Sequence, residues 1–298
     1  MPHVRFDEGL GAIVPPDDWV VVADGFGFTE GPLWRDGALL FSDIPNSRIH
    51  RVRDGAVTVY REPSGQSNGL TLDRERRLLA CEHEGRRLSR EEPDGAVVAV
   101  ASHYEGRRLN SPNDVVVRSD GRIYFTDPPY GIREEQRELA YNGVFTVAPK
   151  GDLSLLLADF DRPNGIALSP DERTLYIADT NRFHVRAFEV AADGSLAGGR
   201  VFAEMREEGR PDGMKLDREG RLYVCATTVQ VFAADGRPLG VIDCPQLPAN
   251  CAWGGAGASE LYITARTSVY RTPLATAGSA PHIAGGQRTS SGPGRRIT

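Results

Sequence analysis

Apolar residues in this chain come in short runs broken by turns rich in Asp and Gly, and sustained helical spacing is nearly absent. One plan recurs. TEGPLWRDGALLFSD from Thr29 sets a short apolar stretch, a polar turn and a second apolar stretch in sequence, the pattern of a β-hairpin. The same plan returns in SNGLTLDRERRLLACE from Ser67, PNDVVVRSDGRIYFTD from Pro112, PNGIALSPDERTLYIAD from Pro163, PDGMKLDREGRLYVCA from Pro211 and ANCAWGGAGASELYITA from Ala249.

Two further strand-like runs follow each hairpin, for example SRIHRV and AVTVYR after the first, or VQVFAA and PLGVID after the fifth. Four short strands per unit, repeating at about 40 to 50 residues, predict an all-β chain folded as a six-bladed β-propeller with four-stranded blades. The sixth copy has only three strand-like runs, and an exposed blade edge invites aggregation. The unused run WVVVADG (19–25) is therefore expected to close the last blade as its outer strand. This gives an N-terminal lead segment (1–18), one propeller (19–274) and a Gly/Ser/Pro-rich C-terminal tail (275–298) expected to be mobile. Only 133–140 and 203–209 have the makings of short surface turns or helices.

The repeat turns a column of residues into a place. The second position of each copy reads Glu30, Asn68, Asn113, Asn164, Asp212 and Asn250, at separations of 38, 45, 51, 48 and 38 residues. The first strand of a blade lines the central channel, so these six side chains are expected to form one ring. A ring with only a structural role would favour small or apolar residues, because inward polar groups without partners are costly. Asn and Asp also favour turns, which explains one copy more readily than six in register. Two carboxylates with several amide oxygens, and no His or Cys, suit a hard divalent cation: Ca²⁺ best, Mg²⁺ or Mn²⁺ possible, Zn²⁺ or Fe²⁺ less natural. The Pro and Gly flanking Asn164 and Asp212 are read as fittings for a tight backbone turn.

A second column, Asp43, Glu82, Asp127 and Asp179, followed by Ala226 and Ala265, falls 13 to 15 residues after the first. It is expected to hydrogen-bond backbone N–H groups between blades, or else to orient the ring amides.

Charge and cysteine usage narrow the partners. With 35 Lys and Arg against 41 Asp and Glu, the net charge of -6 argues against nucleic-acid or membrane-surface binding. No apolar run approaches a membrane span, and MPHVRFDEGLG lacks the features of a signal peptide, so a cytoplasmic location is expected. The four cysteines are then expected to be reduced, with a Cys244–Cys251 disulfide as the alternative. There is no GxSxG, and GFGFTEG and GGAGAS do not sit between a strand and a helix as nucleotide loops do.

TEGPLW, SNGLTLD, LNSPNDVVV, FTDPPYG, RPNGIALSPD and PDGMKLD, in this order over about residues 20–273, resemble the SMP-30/gluconolactonase/LRE family. CEHEGRRLSR and FTDPPYG are closer to its bacterial gluconolactonase branch. The resemblance implies a six-bladed propeller with one divalent metal held by Glu30, Asn164 and Asp212, and with Asn113 as a fourth ligand or a substrate contact. It also implies that Asp212 is the general base, although a ligating carboxylate is weak and the metal alone can activate the water. Ser111 stands where the regucalcin branch has Arg, so substrate recognition does not carry over from that branch.

The function expected is metal-dependent opening of a lactone ring, of a sugar lactone first of all. Rival readings are a phosphotriesterase or other esterase, an enzyme of specialised biosynthesis on a non-sugar lactone, and a non-catalytic binding propeller braced by its metal. Substrate contacts are expected from Asn113, Asn68, His83, Tyr130 and Arg266, with Asn181 and Arg182 nearby and the insertion 128–143 covering the channel mouth. A monomer or small homo-oligomer is expected.

Overall fold

The structure, a computed structural model, describes residues 4–16, 18–207 and 209–279. Six antiparallel sheets follow one another around a central axis, each with its first strand innermost and its second, third and fourth progressively further out. The innermost strands are Thr29–Arg35, Ser67–Leu72, Val115–Val117, Pro163–Leu168, Met214–Leu216 and Pro248–Gly254. The period-two alternation of the sequence thus becomes six blades. Ordered secondary structure beyond strands is limited, among the described residues, to four short 3-10 turns. One of them, Glu134–Gln136, falls within 133–140; residues 203 and 204 instead finish the strand Leu196–Glu204.

Closure of the ring follows the expected route. Val20–Asp24 pairs antiparallel with Ser268–Pro273, Val20 opposite Arg271 and Asp24 opposite Ser268, so the chain's beginning completes blade six. Sealing the last blade with a distant segment ties the two ends of the propeller together.

The core is distributed between blades. Six apolar clusters fill the six blade-to-blade interfaces: Leu40, Ile49 and Leu78 join blades one and two, Leu88 and Phe125 two and three, and Tyr124 and Ile177 three and four. Tyr176 and Val224 join four and five, Tyr223 and Ile263 five and six, and Tyr262 and Phe41 close six onto one. Flat sheets bury both faces this way, which explains why second strands such as Ala38–Asp43 and Leu78–Glu82 are buried throughout.

Two features go beyond the repeat. Val4–Arg5 adds a fifth strand to blade five, pairing with Ile242 and Val241, and Leu10 and Val14 pack into the interface of blades five and six. Blade five is therefore five-stranded, unlike the four-stranded expectation, because a lead segment carrying Val4, Leu10, Ile13 and Val14 has apolar surface to bury. At the other end, Ala275, Gly278 and Ser279 donate backbone hydrogen bonds to Ile13, Ala258 and Leu216. Residues 280–298 of the expected tail lie outside the described residues. All four cysteines are free, with Cys81, Cys225 and Cys251 buried, so the Cys244–Cys251 disulfide is not formed. No helix among the described residues is long and apolar enough to cross a membrane.

Candidate functional site

The ring residues sit at one end of the channel, where each innermost strand begins. In four blades the strand pairing slips one step at this point: between Glu30 and Leu33, Ser67 and Leu70, Pro163 and Ile166, and Pro248 and Asn250. Such a bulge re-aims a side chain that a regular strand would place on a sheet face. All five of Glu30, Asn68, Asn113, Asn164 and Asn250 are buried, and burial also dominates the environment of Asp212.

The glycine that follows the ring residue has a different role from the one its turn-like context suggests. A Cβ on Gly165 would lie 2.1 Å from the Asp212 carbonyl oxygen, one on Gly31 2.0 Å from that of Asn68, and one on Gly213 2.0 Å from the Asn250 side chain. Each glycine admits the ring residue of the next blade. Of these three only Gly31 has a positive φ, so close approach, rather than backbone conformation, fixes the residue type at Gly165 and Gly213.

Hydrogen bonds then link the ring. Asn68 Nδ2 donates to Asn113 Oδ1 at 2.7 Å and Asn113 Nδ2 to Asn164 Oδ1 at 2.5 Å, and the Asn164 amide, which donates to Thr180 Oγ1 at 3.0 Å, lies beside the Asp212 carboxylate. Asn250 Nδ2 donates to Glu30 Oε2 at 3.0 Å. Two of the expected substrate contacts join this network: His83 Nε2 lies 3.2 Å from Asn68 Nδ2, and the Tyr130 hydroxyl accepts from Asn164 Nδ2 at 3.1 Å. Arg266 lies at the rim instead, its guanidinium over the Phe28 ring. Burial pushes His83 down to about 4, which keeps the imidazole neutral near pH 7, and pushes the Tyr130 phenol up to about 12.

The two carboxylates are electrostatically linked and unrelieved. Burial, then the charge of Glu30, then that of Asp114 hold the Asp212 carboxyl well above the usual range. Glu30 is pushed up to about 7 by burial and by Asp114. Neither has a Lys, Arg or His within ion-pair distance among the described residues, and Lys215, whose charge reaches Glu30 and Asp114, offsets only part of the excess. Two acids facing several amides, Glu30 buried and Asp212 half-buried, with no cation in contact, are a donor set that fits a hard divalent ion. No three His, Cys, Asp or Glu side chains converge among the described residues, so amide oxygens would have to complete such a site.

Asp114 is the residue that sequence reading missed. Buried one position after Asn113, it accepts hydrogen bonds from the Val115 and Ile166 N–H groups at 2.9 and 3.3 Å. A signal existed: copy three has Asp where copies one, two, four and five have Gly31, Gly69, Gly165 and Gly213. Beyond Asp114 the opposite end of the channel turns apolar, with a cavity of about 150 Å³ lined by Leu33, Leu70, Val115, Ile166 and Trp253 together with Lys215. A larger cavity, about 380 Å³, lies remote from the ring between the outer parts of blades six and one, beside Val21, Trp34 and Arg271.

The second column is resolved as support for the backbone. Asp43 accepts from Gly27 and Phe28 N–H at 3.1 and 3.2 Å, Asp127 from Asn110 and Ser111 at 2.7 and 2.8 Å, and Asp179 from Asp161 and Arg162 at 3.0 and 2.9 Å. In each case the N–H groups belong to the segment leading into the ring residue of the same blade, so the carboxylate fixes where that residue emerges. Glu82 departs from this, taking Arg61 and Arg87 instead.

Asp127 also carries a pH signature. Burial raises its carboxyl to about 7, so between about pH 4 and 7 the folded chain holds a proton that the unfolded chain has lost, and stability falls with rising pH on its account. Asp127→Asn is expected to cost about 1–3 kcal/mol at pH 5 through its two N–H partners, with a smaller deficit at pH 8. Urea unfolding at both pH values checks this; an equal deficit at both contradicts it.

The insertion 128–143 covers the mouth only at its start. Tyr130 reaches over blade four to Asn164 and Thr180, and Gly131 packs where a Cβ would strike His83 and Ser111. Its later part turns down the side, where Glu138 meets Arg86 and Arg108. Asn181 bonds Asp161, and Arg182 is held by Asp179 and the Asp159 carbonyl, so neither reaches the ring.

Fold and site together define a six-bladed propeller whose channel opens, at one end, on a buried acid-and-amide ring. The chain belongs to the SMP-30/gluconolactonase/LRE family: the SMP-30/gluconolactonase/LRE-like region matches residues 28–267. It is 33% identical to a gluconolactonase of Zymomonas mobilis, over 92% of this chain and 86% of that one. It superposes on the structure of a gluconolactonase from Xanthomonas campestris with a TM-score of 0.85 and 36% identity, covering 92% of this chain and 95% of that one. A calcium-binding protein of Agrobacterium tumefaciens, regucalcin, shares the fold at a TM-score of 0.74 and 22% identity, over 87% and 94% of the two chains.

Proposed function

We propose that this protein is a metal-dependent hydrolase that opens a lactone ring, a sugar (aldono) lactone in the first instance. The observation that carries the reading is the pairing of Glu30, buried, with Asp212, half-buried, among asparagine amides with no basic side chain in contact. The two relatives named gluconolactonases, at 33% and 36% identity over more than nine-tenths of the chain, support the reaction class.

Glu30, Asn164 and Asp212 hold the ion in this reading, with Asn113 as a fourth ligand or a substrate contact, and Ca²⁺ is the best match to the oxygen donors. Bound there, a divalent cation supplies Lewis acidity towards the lactone carbonyl and lowers the pKa of a water. Asp212 takes a proton from the attacking water and delivers it to the ring oxygen as the C–O bond breaks, so one water and one lactone give one hydroxy acid. Asn68 and Asn113 offer amide groups to the sugar hydroxyls, His83 fixes Asn68, and Tyr130 presents its ring at the mouth, 38% exposed.

The test is removal and return of the ion. Chelated protein is expected to lose glucono-lactone hydrolysis in a pH-indicator assay by about a hundredfold or more, to regain it with Ca²⁺ or Mn²⁺, and to gain several degrees in Tm when the ion is added. Full turnover after exhaustive chelation contradicts the reading. Hydrolysis of a phosphotriester but of no lactone moves the assignment to the esterase rival, and added ion that raises Tm without any turnover moves it to a binding propeller.

A further inference from the structure

Seventeen of the thirty arginines among the described residues lie within ion-pair distance of a carboxylate, for instance Arg77 with Asp73 and Glu92, or Arg221 with Asp217, and thirteen do not. Arg162, Arg210 and Arg266 have no carboxylate within ion-pair distance among the described residues, and all three stand around the ring end of the channel. Arg162 and Arg210 hold equivalent places, two residues before Asn164 and Asp212 in RPNG and RPDG. The carbonyl oxygen of Arg266 accepts the Thr29 N–H at 2.7 Å, which puts it beside the start of the Glu30 strand. The three arginines thus belong to consecutive blades four, five and six, each leaving the backbone close to the start of a strand that carries a proposed ligand.

All three guanidinium groups lie over aromatic faces: Arg162 5.0 Å from the Tyr130 centroid, Arg210 5.6 Å from Phe183 and Arg266 6.0 Å from Phe28. Stacking fixes the plane and leaves the N–H edge free, the presentation that suits a planar or tetrahedral oxyanion. Arg162 Nε is buried without a hydrogen-bond partner, and Tyr130 connects this side chain directly to Asn164. The remaining polar contact, from Arg210 Nη1 to Asn181 Oδ1, is long at 3.4 Å. Asp161, the residue before Arg162, has one oxygen engaged by Asn181 Nδ2. A neutral sugar lactone makes no use of three unpaired cations.

We propose that the preferred substrate is a lactone bearing a second, anionic group, a carboxylate or a phosphate, which Arg162, Arg210 and Arg266 hold at the mouth while the lactone carbonyl reaches the ring. This rests on the reading of the site as a lactonase and adds the charge of the substrate to it. Carboxylate and phosphate share the oxyanion chemistry that guanidinium groups read, and the substrates compared below separate them.

The experiment compares kcat/KM of the full-length, metal-loaded protein for three lactones: glucono-1,5-lactone, which is neutral, glucaro-1,4-lactone, which carries a carboxylate, and 6-phosphoglucono-1,5-lactone. At low salt one of the anionic lactones is expected to exceed the neutral one by about tenfold or more, with an advantage that shrinks at about 0.5 M NaCl as charge is screened. Arg162→Gln and Arg210→Gln are expected to reduce the anionic-to-neutral ratio by about tenfold each, chiefly through KM, and Arg162→Lys to restore part of it. A neutral lactone turned over as well as either anionic one, or Gln variants that slow all three equally, overturns the proposal. If no lactone is hydrolysed, the lactonase reading fails by itself. The arginine mouth is then judged by calorimetry with glucarate and 6-phosphogluconate: binding by the wild type that is lost in the Arg162→Gln/Arg210→Gln double variant sustains it, and no binding overturns it.

Discussion

Asp212→Asn is expected to lower lactone turnover by about 10²–10⁴-fold, the range spanned by loss of a positioned general base, while leaving the fold intact. The isosteric amide keeps an oxygen for the ion and a group for Asn164 to contact, so the loss falls on kcat more than on KM. Stability should move the opposite way. In metal-free protein the ionised Asp212 is opposed by burial and by Glu30, and a neutral amide relieves both, so the metal-free variant is expected to melt higher than the metal-free wild type. Sites tuned for chemistry commonly sacrifice stability in this manner. Kinetics on protein of verified metal content, with calorimetric melting of both metal-free forms, checks the pair of outcomes. Undiminished turnover with the ion bound leaves Asp212 as a ligand only and assigns water activation to the metal.

Gly165→Ala is expected to be strongly damaging through blade contact alone. The added Cβ would lie 2.1 Å from the Asp212 carbonyl oxygen and 2.9 Å from the Gly213 Cα, both backbone atoms of the next blade, so no side chain can turn aside. The blades must separate, and with them two residues of the ring. A loss of about 3 kcal/mol or more, or failure to accumulate as folded protein, is expected. Gly151→Ala is the comparison. Its φ of +99° carries backbone strain but nothing lies within 4 Å of the new Cβ, so its cost should stay near about 1 kcal/mol. Equal losses in the two variants would mean that blade contact at Gly165 tolerates a methyl group.

The ring was legible because it repeats. Glu30, Asn68, Asn113, Asn164, Asp212 and Asn250 share a position within the hairpin plan, and the channel end where they gather follows from the blade count. The second column was legible in position but not in detail: Asp43, Asp127 and Asp179 hold the segments leading into their own blades, while Glu82, at the equivalent place, binds two arginines. Asp114 falls outside the repeating column, one position after Asn113, and its only mark in the sequence is that copy three has Asp where four other copies have Gly. The contacts of His83 with Asn68 and of Tyr130 with Asn164 join side chains of different strands and loops, and the Tyr130 contact brings together two blades.

Local pattern alone determined the strands, the hairpins, the number of blades and the closing role of residues 20–24, because alternation and turn chemistry act over a few residues and a repeat multiplies the signal. Tertiary structure decided what lies between blades. The close approach that demands Gly165, the fifth strand at Val4–Arg5, the burial that raises Glu30 and Asp212, and the three unpaired arginines around the mouth all arise from residues far apart in sequence. Distances of this kind and the loss of water around a charge are properties of the closed ring, and no run of letters within one blade contains them.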